Sequence, residues 1–332
     1  MHTRENALNE WLETIFNDKP FTLTPLVDDA SFRRYFRLHC GTLTRVVMDA
    51  PPLKEKIDSF ISIAATLSKM GIHAPAIHAI DHVQGFILLE DLGDRLLLNE
   101  LSTQSADKLY HAAMDTLTTM QQYSATEPKL PPFDRHFILG ELTLFREWFL
   151  ESYLSLSLNP DEEQLLNQTF DWLITKLTSQ PQVFIHRDFH SRNLMVVDDS
   201  QSIDIGVIDF QDAMLGPYAY DLVSLLKDCY AQWPREQTLQ WLAYFHNNLP
   251  PTIRGSILEF NHAFDLCGLQ RHLKVLGIFC RLSLRDNKSA YLRDLPLTFH
   301  YVMACLEEQS ELSRFFQFMQ QRVQPIFLKK QS

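Results

Sequence analysis

The order of the short extended runs and helices in the first ninety residues constrains this chain most. Residues 21–27 read as a strand, and Asp28-Asp29-Ala30-Ser31 supplies turn formers. Residues 32–38 alternate, with Phe32, Phe36 and Leu38 on one face and Arg34 interrupting it. Cys40-Gly41 turns into 44–48, rich in β-branched residues, and Pro51-Pro52 ends that run. Between Lys54 and Met70, Ile57, Ile61, Ala64, Ala65 and Leu67 recur at helical spacing, and Gly71 and Pro75 stop the helix. Residues 77–80 and 86–90 add two strands across Gln84-Gly85. A doubly wound α/β sheet would alternate strand and helix throughout. Five strands with one helix after the third do not.

Beyond Gly93 the pattern turns helical. The best-marked start is Asn159-Pro160, where Asn suits the N-cap, Pro the first helical position, and Asp161, Glu162 and Glu163 the positive end of the dipole. Leu166, Phe170, Leu173 and Leu177 then form one apolar stripe. Further helices are expected near 105–123, 138–153, 219–231, 236–248, 255–284 and 296–322. Among them lies an island of strands at 183–185, 194–197 and 205–208. The expected class is α+β, with a β-rich lobe over 1–92 and a mainly helical lobe over 93–332.

With 332 residues the chain is long enough for two such lobes. Its 30 Lys+Arg against 41 Asp+Glu give a formal charge of -11. That balance argues against nucleic acid as the main partner, because such binding depends on phosphate neutralisation. Five scattered cysteines without a C-x-x-C pair read as free thiols of a reducing compartment. Glu5, Glu10 and Glu13 are unlike the start of a signal peptide, and no run approaches the roughly 18 apolar residues of a membrane span. The expectation is a soluble cytoplasmic protein.

The chemistry concentrates in the strand island. His186-Arg187-Asp188-Phe189-His190-Ser191-Arg192-Asn193, followed by Asp209-Phe210 at a strand end, fits the H-R-D-x-x-x-x-N pattern and its later D-F dipeptide. Phosphoryl transfer needs a carboxylate to orient the attacking hydroxyl, which is the role for Asp188. It also needs hard oxygen ligands for Mg²⁺, which suits Asn193 and Asp209. His186, Asp188 and His190 also have the spacing of a transition-metal site. That alternative explains neither Asn193 nor Asp209, so His186 is read as a structural residue bracing the loop.

On these residues the chain resembles the aminoglycoside-phosphotransferase and choline-kinase branch of the protein-kinase-like fold. Within it the chain is most similar to the bacterial anomeric N-acetylmuramate/N-acetylglucosamine kinases of cell-wall recycling. The similarity runs through 29–37 (DASFRRYFR), 47–52, 86–95 (FILLEDLGDR), 186–195 (HRDFHSRNLM), 207–230 and 270–277 (QRHLKVLG). It implies ATP and Mg²⁺ as cofactors and a small sugar as acceptor, for which a monomer suffices. It also implies that backbone groups of Glu90 and Leu92 bond the adenine edge, and that Asp221 braces the catalytic loop from a helix.

Two departures from kinase patterns stand out. The turn at 28–33, where a phosphate loop would carry glycines, has none, leaving backbone amides, Ser31 and Phe32 as the ATP contacts. The third strand, Val46-Val47-Met48-Asp49, lacks the usual phosphate-binding Lys, and Arg33 or Arg34 is the nearest replacement cation. For the acceptor, Gln211, Arg271 and His272 join Asp188 as candidates, since a lactyl carboxylate suits a bidentate Arg, although an ordinary ion pair within its helical segment is the favoured role for Arg271. The departures also keep two other readings open. One is a phosphotransferase for an aminoglycoside, choline or another hydroxyl compound; the other is a non-catalytic pseudokinase.

Overall fold

The computed structural model describes residues 3–26, 32–122, 129–198 and 202–331. In chain order the first elements are α1 (Arg4–Phe16), β1 (Thr22–Pro25), β2 (Arg34–Cys40), β3 (Leu43–Asp49), α2 (Asp58–Lys69), β4 (Ile77–Asp81), β5 (Phe86–Leu89) and α3 (Leu97–Glu100). Next come α4 (Ala106–Gln121), α5 (Arg135–Leu144), a π-helical stretch Phe145–Tyr153, and α6 (Pro160–Thr178). Four short strands follow: β6 (Gln182–Ile185), β7 (Leu194–Asp198), β8 (Asp204–Val207) and β9 (Met214–Pro217). The remainder is α7 (Tyr220–Leu226), α8 (Arg235–Asn248), α9 (Pro251–Arg254), α10 (Ile257–Leu284), α11 (Leu295–Glu308), α12 (Ser313–Phe318) and α13 (Gln324–Gln331). The chain forms two compact units, 1–100 with 192–212, and 101–191 with 213–332. Among the described residues no helix is long and apolar enough to cross a membrane.

The first unit carries the expected five-stranded antiparallel sheet, in the order β1-β2-β3-β5-β4. Its inner face is closed by α1, a helix the strand pattern did not anticipate. Leu8 and Leu12 of α1 pack with Leu38, Val47, Phe86 and Leu88 from the strands. Each such side chain contributes roughly 1.5–3 kcal/mol when fully buried. Arg4 fixes the helix start to the sheet, donating to Asp49 Oδ1 and to the Gln84 carbonyl, both at 2.6 Å. Asp49 is wholly buried, and Arg34 donates to its other oxygen. The hairpin β7–β8 belongs to this unit, bridged to it by Leu96 opposite Met195 and by the Val207 amide on the His73 carbonyl at 2.8 Å.

The second unit is built around α10, whose capping box is closed by Ser256 and Glu259. Burial runs almost unbroken from Phe260 to Leu282 and includes Gln270, Arg271, His272 and Lys274. Gly277 lets α10 approach the point where α5 gives way to the π-helical stretch. A Cβ there would lie 2.4 Å from Leu144 backbone atoms and 2.7 Å from the Phe145 nitrogen. The strand island is thus two separate two-stranded sheets: β7–β8 in the first unit, and β6 with β9 in the second.

Two stability predictions follow from these contacts. Gly277→Ala would gain up to about 1 kcal/mol in helix propensity, but overpacking against rigid backbone costs about 1–3 kcal/mol. The clash involves two residues' main chain, so urea denaturation should show a net loss of about 1–2 kcal/mol; a gain would refute the close approach. His73 faces Asp204 at 2.6 Å and Glu90 at 3.4 Å. Burial pulls its pKa down, but the hydrogen bond and charge of Asp204, then Glu90, outweigh it and leave the pKa raised. The charged imidazolium therefore stabilises the fold below the ordinary histidine range, and this fades as pH rises through the folded-state value. Asp204 is well exposed, so the effect stays under about 1 kcal/mol. The melting-temperature loss of His73→Gln should be larger at pH 6 than at pH 8.5.

Candidate active site

The chemistry-bearing residues divide between the two units. In the second unit, β6 ends at Ile185 and the chain passes directly into the loop carrying Asp188. The wholly buried carboxylate of Asp221, on α7, accepts the amides of His186 at 2.5 Å and Arg187 at 2.9 Å. Burial pushes this carboxyl up to about 7, against the two amide donors that favour its ionised form. Arg187 is held at φ +77°, a conformation non-glycine residues adopt at a cost of about 1–3 kcal/mol. His186 is buried, and its Nδ1 accepts the Asp188 amide at 3.3 Å. At the far end of the loop, buried Asp228 accepts both the Ser191 amide at 3.0 Å and its hydroxyl at 2.5 Å.

Asp188 itself is 40% exposed, yet it lies against buried cations. Arg271, on α10, donates to its Oδ1 at 3.2 Å and to the Arg187 carbonyl at 2.7 Å. Burial raises the Asp188 pKa, but the charges of Lys274, Arg271, His190 and Arg187 outweigh that and hold it well below the usual carboxylate range. Glu141, on α5, collects the remaining cations, with Arg187 Nη2 at 3.2 Å and Lys274 Nζ at 3.4 Å. A carboxylate held in this way is ionised at every physiological pH. It is a weak base and a firm hydrogen-bond acceptor.

The first unit contains a cleft of about 370 Å³, within the size range of cofactor pockets. Val46, Leu89, Leu92, Met195 and Ile208 give it apolar walls, and Glu90, Asn193 and Asp209 line it as well. Leu92 packs over Gly206, where a Cβ would fall 2.7 Å from its Cδ1. Arg37, on β2, fastens the connector after β5. It pairs with Asp91 at 2.8 Å, donates to Asp94 at 2.7 Å and reaches the Gly93 carbonyl at 3.0 Å. Asp209 is held at φ +62°. Its two oxygens accept from Asn193 Nδ2 at 3.4 Å and from Gln211 Nε2 at 2.8 Å. Gln211 is buried, and its Oε1 has no hydrogen-bond partner. Carboxylate and amide oxygens with an orphaned amide oxygen beside them form a hard donor set. That set fits Mg²⁺, which is held by one or two carboxylates together with substrate phosphates.

The residues singled out from sequence fall as follows. Glu90 and Leu92 line the cleft, whereas Ser31 lies outside the described residues. Phe32 is exposed, under the Lys54 ammonium at 4.3 Å. Arg33 pairs with Glu55 at 3.0 Å, and Arg34 with Asp49 and Glu5, so both are committed to carboxylates. Met48, at the position of the absent Lys, is wholly buried in the sheet. Gln211 stands on the Asp209 side, in the first unit. Arg271 engages the catalytic loop. His272 is buried, with Nε2 on the Lys227 carbonyl at 2.9 Å and its ring stacked on Tyr301; burial pushes its pKa down to about 3, so it is neutral. Sequence reasoning missed Arg37, Glu141, Asp228 and Lys274. Lys274 was signalled by its place in a long apolar helical run, one turn from Arg271.

Comparison with known proteins shows what the whole chain is similar to. Residues 22–255 match the phosphotransferase enzyme family. A Pseudomonas aeruginosa protein described as an N-acetylmuramate/N-acetylglucosamine kinase is 37% identical over 327 residues, covering 93% of this chain and 94% of that one. A Neisseria meningitidis serogroup B protein with the same description is 36% identical, with 94% of each chain covered. Among solved structures, a Plasmodium vivax ethanolamine kinase superposes with a TM-score of 0.67 at 11% identity, over 88% of this chain and 85% of that one. An ADP-bound aminoglycoside phosphotransferase gives 0.59 at 14% identity, over 88% and 96%. These likenesses place the fold among protein-kinase-like phosphotransferases. By sequence match and fold alike, the chain belongs to the phosphotransferase enzyme family.

Proposed function

We propose that this protein is an ATP- and Mg²⁺-dependent cytoplasmic kinase that phosphorylates the anomeric hydroxyl of N-acetylmuramate and N-acetylglucosamine. The observation that carries the chemistry is Asp188, kept ionised by buried cations on a loop that leads directly to Asn193 and Asp209. The sugars come from the relatives, whose likeness extends over nearly the whole length of both chains. The cleft of the first unit would take the nucleotide, with backbone groups of Glu90 and Leu92 at the adenine edge. Asn193 and Asp209 would hold the metal, with Gln211 fixing the Asp209 carboxylate. When bound, the metal supplies positive charge to the phosphates of the transferring group.

Asp188 would accept a hydrogen bond from the C1 hydroxyl and aim its oxygen at the γ-phosphorus. The new C1–O–P bond forms as the bond to the β-phosphate oxygen breaks, leaving ADP and the sugar 1-phosphate. The hydroxyl proton passes late, through Asp188, to solvent. A weak base suffices, because the ring oxygen makes an anomeric hydroxyl more acidic than an ordinary alcohol. Around Asp188, Arg187, Arg271 and Lys274 stand against Glu141, Asp221 and Asp188 itself. No excess of negative charge is left there to favour a cationic aminoglycoside or choline over a sugar.

Phosphorus and proton NMR of the product should show phosphate coupled to the anomeric proton. The 1-O-methyl glycoside of N-acetylglucosamine should not react, and phosphate on C6 would overturn the acceptor. Asp188→Asn should lower kcat by about 10²–10⁴-fold, the usual weight of a positioned acid–base group, while nucleotide affinity stays near wild type. Arg37→Ala frees the connector that shapes the adenine edge. It should raise KM for ATP about tenfold, or about 1.4 kcal/mol, with KM for sugar little changed; equal shifts in both would show that Arg37 does not act through the nucleotide cleft.

A further inference from the structure

We propose that Arg271 is a positioning residue for Asp188, setting the orientation of the catalytic carboxylate instead of binding the acceptor. The inference rests on the reading of Asp188 given above. A single nitrogen, Nη1, donates both to Asp188 Oδ1 at 3.2 Å and to the Arg187 carbonyl at 2.7 Å. One guanidinium thus ties the side chain of the catalytic residue to the backbone just before it. That backbone is the strained one, with Arg187 at φ +77°. Asp221 secures the amide side of the same residues, and Arg271 secures the carbonyl and the carboxylate.

Arg271 is itself immobilised. It is only 5% exposed, and its guanidinium lies over the Tyr220 ring at 5.8 Å. Its neighbours on α10 anchor that helix to the loop by a second route. Gln270 Nε2 donates to Glu141 Oε2 at 2.8 Å, and Lys274 Nζ meets both Glu141 and the Tyr220 hydroxyl. Glu141 in turn holds Arg187 Nη2. The charged and titratable groups around Asp188 are therefore Glu141 from α5, Tyr220 and Asp221 from α7, Arg271 and Lys274 from α10, and Arg187 and His190 from its own loop. A reader of a lactyl carboxylate must offer its fork to the ligand. Here Nη1 is committed to the loop and the guanidinium lies over Tyr220.

The test uses full-length Arg271→Gln and Arg271→Lys, assayed with ATP on N-acetylglucosamine and on N-acetylmuramate, with Asp188→Asn alongside. Misplacing a reacting group by about 1 Å costs on the order of 10²-fold. Arg271→Gln should therefore lose about that much kcat, to the same extent on both sugars, with KM for ATP and for sugar within about twofold of wild type. Arg271→Lys should recover about tenfold of the loss, because an ammonium restores the charge beside the carboxylate but ends one bond short of the position Nη1 occupies, so it does not hold both bonds at once. A loss confined to N-acetylmuramate and expressed in its KM would make Arg271 a carboxylate reader and overturn the proposal. Unchanged kcat would overturn it too. Should the Gln variant melt below assay temperature, the Lys variant decides alone by the same criteria. Wild-type turnover in Asp188→Asn would instead remove the reading of Asp188 itself, a different failure from that of Arg271.

Discussion

A buried carboxylate accepting two consecutive amides, Asp221 on His186 and Arg187, is the contact on which the catalytic loop depends. Without it two main-chain donors would be stranded in an apolar interior, at about 1–3 kcal/mol each. The Arg187 backbone would also lose the restraint on its amide side that helps hold it at positive φ. Asp228 repeats the device at Ser191, so the segment carrying Asp188 is pinned at both ends by carboxylates from one stretch of chain around α7. Between these pins the loop presents its acid half-exposed. The cost of burying so many charges is met by pairing: Glu141 and Asp188 are each matched to cations on α10 or the loop. Removing one partner of such a pair is far more damaging than replacing the whole pair.

The same logic shapes the first unit, where the usual phosphate-binding Lys is absent. Its strand position is occupied by Met48, and the next residue, Asp49, is a buried acid. An ammonium at position 48 would have to leave the sheet core to find water. Arg4 and Arg34 neutralise Asp49 and thereby staple α1 onto the sheet. The arginines nearest the first hairpin therefore serve the fold. The cation reaching the cleft from β2 is Arg37, already balanced by Asp91 and Asp94. Under the proposed reading, a metal held by Asn193 and Asp209, with Arg192 also lining the cleft, would supply the positive charge that the missing Lys does not.

The sheet and the motif loop were legible in the sequence because each rests on local rules. Period-two alternation, Gly and Pro punctuation and the spacing of Asp188, Asn193 and Asp209 all survive without knowledge of packing. Helix α1 shows the opposite case. Leu8, Trp11, Leu12 and Ile15 have helical spacing, but nothing in the strand pattern that follows calls for a helix before the sheet. Strand β9 carries Gly216 and Pro217, residues that argue against a strand until an edge partner such as β6 is known. The strand island looked like one unit because its strands are close in sequence. Their pairing into two separate sheets is a long-range fact that no window of sequence contains.

The site residues were legible in proportion to how directly they act. Asp188, Asn193 and Asp209 were legible because phosphoryl transfer, the proposed chemistry, would demand their types at a set spacing. Arg271, Glu141 and Lys274 act through another residue, and such partners can come from any element that packs nearby. Here they come from α5 and α10, far from the loop in sequence. Their one sequence-level signal is energetic. A Lys and an Arg one turn apart on the buried stretch of α10 would be prohibitively expensive to bury unpaired. Such a pair implies acids on neighbouring elements, and they are Glu141 for Lys274 and Asp188 for Arg271. A charge that α10 buries and the charge of Asp188 meet in one contact, where a single nitrogen of Arg271 donates to both the Asp188 carboxylate and the Arg187 carbonyl.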